Sequence, residues 1–154
     1  MNRENFLWYL AGLLDGEGHF SVIKVKTPCV GYTASIQCQI TDSNVLKFIR
    51  KELHTGSVTP PYQASGNRKP TRTWYVCGRA AVELARTLKP MLQIKQKQAA
   101  LLATFPMGGR GNVSARIVKE HLFNSLRQLN RRGKILAVSG DEEDDSLNLE
   151  LPFK

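Results

Sequence analysis

Two acidic residues, Asp15 and Glu17, flank Gly16 at the end of the stretch Leu10 to Gly18, which reads LAGLLDGEG. Apolar helix-forming residues run directly into them. Carboxylates at a helix C-terminus meet the negative end of the helix dipole, so the pair is unfavourable unless a cation relieves it. Mg²⁺ suits such a place, because it takes one or two carboxylates, several waters and phosphate oxygens rather than a full protein cage. One chain supplies few ligands for such an ion. Gly12 and Gly16, four residues apart, would let a second copy of the helix approach closely and bring a second pair of acids. Read without that context, Asp-Gly-Glu-Gly is also an ordinary solvated turn.

The elements that must position these acids follow from periodicity. Arg3 to Leu14 reads as a helix with Asn2 as N-cap, carrying Phe6, Leu10, Leu13 and Leu14 on one stripe. Gly16 is suited to the left-handed position that ends it. A strand is predicted over 19–26, with a bulge near 22–23 because the alternation changes phase there. The next, 32–41, alternates cleanly, with Ala34, Ile36, Cys38 and Ile40 on one face and Thr33, Ser35, Gln37, Gln39 and Thr41 on the other. Asp42 or Ser43 then caps a helix to about Leu53. Short strands at 56–59 and 71–77 enclose a loop from Pro60 to Pro70. Helices are predicted at 79–88, at 92–105 and from Val113 or Ser114 to Asn130. The order α-β-β-α-β-β-α-α-α implies an α+β fold, an antiparallel sheet with helices on one face and a polar, basic face opposite. A two-stranded ribbon of such a sheet fits the DNA major groove.

Charge points the same way. The 154 residues carry a net +9, and the balance is uneven. Residues 1–140 hold 21 Lys and Arg against 7 acids, whereas 141–154 hold 6 acids and one lysine. This divides the chain into one domain over 1–140 and an acidic tail over 141–154. In the tail, Leu147, Leu149, Leu151 and Phe153 alternate as in an extended arm. A body this basic suits an anionic polymer, with nucleic acid foremost. No apolar run approaches the ~20 residues that span a bilayer, and the N-terminus lacks the features of a signal peptide, so no membrane partner is expected. Cys29, Cys38 and Cys77 form neither zinc spacing nor a disulfide framework, consistent with an intracellular protein, prokaryotic cytoplasmic or organellar. His54 and His121 have no partner pattern and read as structural or surface residues.

LAGLLDGEG resembles the signature of the LAGLIDADG homing endonucleases, with a single copy of the motif and only conservative changes across it. The stretch Leu92 to Gln98, LQIKQKQ, is similar to a lysine-bearing segment of single-motif members, and the resemblance extends over about 3–130. It implies an αββαββα homodimer whose paired sheets form a saddle on a long, partly palindromic duplex DNA site. It also implies cleavage of both strands with Mg²⁺, for which Mn²⁺ would substitute, leaving 3′ overhangs, and an intron-encoded origin. Glu17 matches the metal ligand, Gly16 a backbone carbonyl that contacts metal, and Lys95 a basic residue near the scissile phosphate. Asp15 matches an acid that caps the partner helix. Leu10, Ala11, Gly12, Leu13 and Asp15 would thus form the dimer interface.

Two departures stand out. Asp42 replaces a glutamine, and Leu46 replaces an arginine, although Lys47 and Arg50 are near. Asp42 is either a third, catalytic acid or the cap of its helix, and its place directly before the helix favours the cap. For base reading, Gln37 and Gln39 suit adenine, Lys24 and Arg72 suit guanine, and Thr33, Ser35 and Thr73 suit water-mediated contacts. His19, Ser21, Lys26 and Lys97 complete the expected DNA surface, with Arg68 and Lys69 reaching phosphate. An RNA-binding intron maturase, or a DNA-binding protein that does not cut, would use the same fold.

Overall fold

Asn2 opens the first helix by accepting the Glu4 N–H at 2.7 Å, and the apolar spacing carries α1 from Arg3 to Glu17. The helix therefore runs through Gly16 instead of ending there. Gly18 caps it in extended geometry (φ −78°), with its N–H donating to the Leu14 carbonyl. Glycine is required at 18 because a Cβ would lie 2.8 Å from the Leu14 Cα, leaving no room for a side chain. The computed structural model describes residues 2–26, 30–62, 69–108 and 112–131. The acidic tail with its alternating leucines lies outside them.

From Gly18 the chain enters β1 (Gly18–Lys26), which pairs antiparallel with β2 (Val30–Ile40). Then come α2 (Ser43–Leu53), β3 (Ser57–Val58), β4 (Arg72–Cys77), α3 (Arg79–Leu88), α4 (Gln96–Ala103) and α5 (Val113–Leu129). This is the expected element order, and the strands form one antiparallel sheet in the order β1-β2-β4-β3.

Register decides the faces. Gly18 pairs with Cys38, and Cys38 with Trp74, so even-numbered residues of these strands share one face. Phe20, Val22, Ala34, Ile36, Cys38, Trp74 and Val76 are buried there in one cluster with residues of all five helices. Burying a large apolar side chain contributes about 1.5–3 kcal/mol, so this face carries the fold. Odd-numbered residues face away from it. Pairing from Gly18 to Lys26 is continuous, so the expected bulge is absent, and Ile23 and Val25 lie on the open face.

Two local contacts fix the remaining element ends. Gly56 (φ 84°) passes close over Trp74, whose indole Nε1 donates to the Thr55 carbonyl at 3.3 Å. Asn112 caps α5 by accepting from the Ser114 and Ala115 N–H groups. None of the helices among the described residues is long and apolar enough to cross a membrane.

Candidate active site and nucleic-acid surface

The end of α1 is built by residues almost eighty positions away. Asp15 accepts three backbone N–H groups, from Gln93 (2.7 Å), Ile94 (3.2 Å) and Lys95 (2.9 Å). Residues 92–95 are consequently a turn leading into α4 and not the first turn of a longer helix. Asp15 was expected to cap a partner helix, and here it caps its own chain. The fixed turn sends the Lys95 ammonium back over α1, where Nζ donates to the carbonyls of Leu14 (3.0 Å) and Gly16 (3.2 Å). A cation at a helix C-terminus is stabilising, so within one chain Lys95 supplies the relief expected of a metal.

Glu17, one residue past Gly16, is exposed and lines an open cavity of about 470 Å³ with Gly16, Gly18, His19, Gln37, Gln39 and Asn130. The charges of Glu17 and Lys95 both reach Cys38, opposite Gly18. Burial first, and the Glu17 carboxylate second, push that thiol up to about 11, with Lys95 acting the other way. Partial burial, then Lys95, hold the His19 imidazole below its ordinary 6.5. Carboxylate, ammonium and imidazole thus share one electrostatic neighbourhood at the edge of the sheet.

The open face continues from this cavity. His19 and Tyr75 flank Gln37, and Ser21 and Cys77 flank Ser35; Thr33 lies opposite Ile23 and Thr73 opposite Gln39. Gln39 Nε2 donates to Thr71 Oγ1 at 2.8 Å, which holds its amide in place. Several expected contacts lie elsewhere. Ser35 is fully buried, its hydroxyl covered by Gln37 and Cys77, so it offers nothing to a ligand. Lys24 and Arg72 occupy even positions and belong to the helix-covered side. Lys24 lies over the Tyr32 ring (5.9 Å), which itself packs on Phe123. Lys26 ends β1 opposite Val30. Lys69 and Lys97 are exposed, and Arg68 lies outside the described residues.

Asp42 does not reach the cavity. Its carboxylate accepts the Asn44 N–H at 2.8 Å and caps α2, as its position before the helix favoured.

Comparison with solved structures gives the architecture a precedent. The homing endonuclease I-CvuI in complex with its target is 20% identical, with a TM-score of 0.73 over 86% of each chain. The archaeal intron-encoded homing endonuclease I-Vdi141I, complexed with DNA, is 16% identical, with a TM-score of 0.68 over 86% of this chain and 88% of that one. The LAGLIDADG meganuclease I-CpaMI, bound to uncleaved DNA, is 17% identical, with a TM-score of 0.51 over 79% of this chain and 40% of its own length. The chain has the fold of the LAGLIDADG homing endonucleases. No protein-family model and no curated protein matches the sequence.

Within that fold, the faces of α1 divide differently from the expected interface. Leu10 and Ala11 are fully buried in the chain's own core, and Leu13 packs partly against it. Gly12 and Gly16 are exposed, and with Trp8 (51% exposed) and Tyr9 (42%) they make the outer face. Sequence reasoning missed Trp8 and Tyr9, although their spacing of three and four residues to Gly12 is the helical signal for one face. It also missed Tyr75, whose place between Trp74 and Val76 puts it on the open face. Asn130 had no local signal. Its Nδ2 donates to the Phe20 carbonyl at 2.7 Å, tying the end of α5 to β1 beside the Glu17 cavity.

Proposed function

We propose that the chain is a single-motif homing endonuclease that cuts duplex DNA as a homodimer with Mg²⁺, with Mn²⁺ as a substitute. One observation carries this reading. An exposed carboxylate, Glu17, and a pinned ammonium, Lys95, meet at one helix end, where a polar sheet face begins. DNA in the complexes of I-Vdi141I and I-CpaMI supports the duplex as partner, and calcium or magnesium with I-CvuI supports a divalent ion.

The donors fit a sparse Mg²⁺ site. Among the described residues no three His, Cys, Asp or Glu side chains could together hold a metal, so a full protein cage is not on offer. Glu17 offers a carboxylate, and the Gly16 carbonyl offers a second oxygen shared with Lys95. A second chain would double this set. When bound, the ion supplies an activated water and neutralises phosphate charge. Glu17 orients what it binds. Lys95 presents positive charge where the phosphate gains negative charge, and Asp15 keeps that lysine in place through its backbone. His19, its imidazole held below the ordinary 6.5, lines the same cavity and offers it a hydrogen-bond acceptor. Gln37 and Gln39 present amides suited to adenine edges. Cutting both strands requires two such sites, and hence two copies.

The test is incubation with a randomised duplex library and Mg²⁺, followed by sequencing of the ends. Reproducible breaks with 3′ overhangs at one site are expected. Glu17→Gln should keep DNA binding and abolish cutting. Lys95→Met should slow cutting by roughly 10²–10³-fold, the loss typical of one donor to transition-state charge. Specific binding of intron RNA without cleavage in either Mg²⁺ or Mn²⁺ would replace this reading with a splicing maturase.

A further inference from the structure

A second cavity, of about 360 Å³, is lined by Lys47, Arg50 and Lys51 of α2, by Val58 at the end of β3 and by Arg72 at the start of β4. The three α2 residues are all exposed, and their spacing puts them on one helix face. Arg72 joins them because its even register turns it away from the open sheet face. Four cations line this cavity and no carboxylate does. Like charges so arranged repel one another, and an anion would remove that repulsion.

We propose that this cavity binds the phosphate backbone of a nucleic-acid duplex, outside the base-reading face. Its two arginines carry planar forks matched to phosphate oxygens, and its two lysines add point charge. No aromatic side chain lines it. Sites for single strands combine a charged groove with aromatic platforms on which bases stack, so the lining favours a duplex rail over a single strand. Position agrees. Arg72 pairs with Ile40 at the last rung of β2 and β4, next to the Gln39–Thr73 pair of the open face. The cavity therefore lies at the end of the sheet, beside the open face and not on it. The choice of DNA as the duplex rests on the endonuclease reading, whereas the phosphate site rests on the cavity's own charge.

The experiment measures binding to a long random-sequence DNA duplex, and to the same sequence as an RNA duplex, by fluorescence anisotropy across a salt series. The variant is Lys47→Gln/Arg50→Gln/Lys51→Gln, whose substituted positions are all exposed, with and without Arg72→Gln. Each lost phosphate contact lowers the slope of log affinity against log salt by about 0.9, so a fall of about 2–4 is expected for DNA. Gln37→Ala/Gln39→Ala should leave that slope unchanged, and Lys47→Arg/Lys51→Arg should retain it. A wild-type slope in the substituted protein overturns the site. A loss confined to the RNA duplex overturns the assignment to DNA. A protein that shows the expected loss on DNA yet never cuts removes the endonuclease reading and leaves the phosphate site supported.

Discussion

Asp15 and Glu17 are two residues apart, and a helix turns such neighbours roughly 200° from one another. That rotation separates their work. Asp15 faces the turn at 93–95 and engages both its oxygens with backbone N–H groups, while Glu17 faces the cavity with its carboxylate exposed. The neighbouring titratable groups report burial first, and then the charges of Glu17 and Lys95. His19 has a folded pKa below 6.5, so the unfolded chain binds its proton more tightly. His19 thus contributes stability above pH 6.5 that is lost as pH falls through the folded midpoint. NMR titration of the imidazole should give a midpoint under 6.5, and Lys95→Met should raise it; a wild-type midpoint at or above 6.5 contradicts the placement of Lys95. The cysteines offer an independent check, because only thiolate reacts. Cys38 is buried with its pKa pushed up to about 11, whereas Cys77 is exposed. Iodoacetamide at pH 8 should label Cys77 and spare Cys38 in the native protein, as peptide mapping would read out.

At the scale of elements, the most informative contact is between the end of α1 and the turn before α4. Removing the Asp15 carboxylate leaves three N–H groups without their acceptor. Asp15→Ala should therefore cost about 1–2 kcal/mol, as for a strong helix cap, and should loosen Lys95 as well. Denaturant unfolding would measure the loss, and an unchanged midpoint would mean the capping is dispensable. This contact also shows where sequence reasoning stops. The order of elements, the cap at Asp42 and the two faces of β2 were legible, since each follows from spacing or from a residue acting on its near neighbours. The turn at 92–95 was not, because its LQIK spacing is compatible with a helix and the residue that breaks it is Asp15, far off in the chain. The phase of β1 was not legible either. Ile23 and Val25 are apolar on the open face, and alternation alone cannot tell one continuous strand from a bulged one. Lys24 and Arg72 were then assigned to the wrong side of the sheet, since a charged side chain at a strand's end reaches solvent from either face. In the candidate site, Glu17, Lys95, His19, Gln37 and Gln39 were found in the sequence, while Asn130 was hidden by the 110 residues between it and Phe20.

For the whole molecule, the question is why α1 carries glycine twice on its outer face. Nothing lies within 4 Å of a Cβ built at Gly12 or Gly16. Neither residue has positive φ, so neither backbone conformation demands glycine. A glycine inside a helix costs about 0.8–1 kcal/mol relative to alanine. Within one protomer that cost has no return. It has one if a second α1 packs against this face, because small residues let the backbones approach while Trp8 and Tyr9 flank the contact. The same packing would bring two Glu17 carboxylates toward one another, which a nuclease cutting both strands needs. Opposite effects in the two states follow. Gly12→Ala should raise the stability of the isolated protomer by up to about 1 kcal/mol. Gly12→Leu should leave the chain folded, since a Cβ at that position meets nothing within 4 Å, yet weaken association by at least tenfold and, on the endonuclease reading, abolish cutting of both strands. Sedimentation equilibrium of the wild type and of Gly12→Leu, read alongside thermal unfolding at low concentration, separates the two effects. A Gly12→Leu protein that dimerises as tightly as the wild type would show that the copies meet elsewhere, and the glycines would then need a cause outside this face.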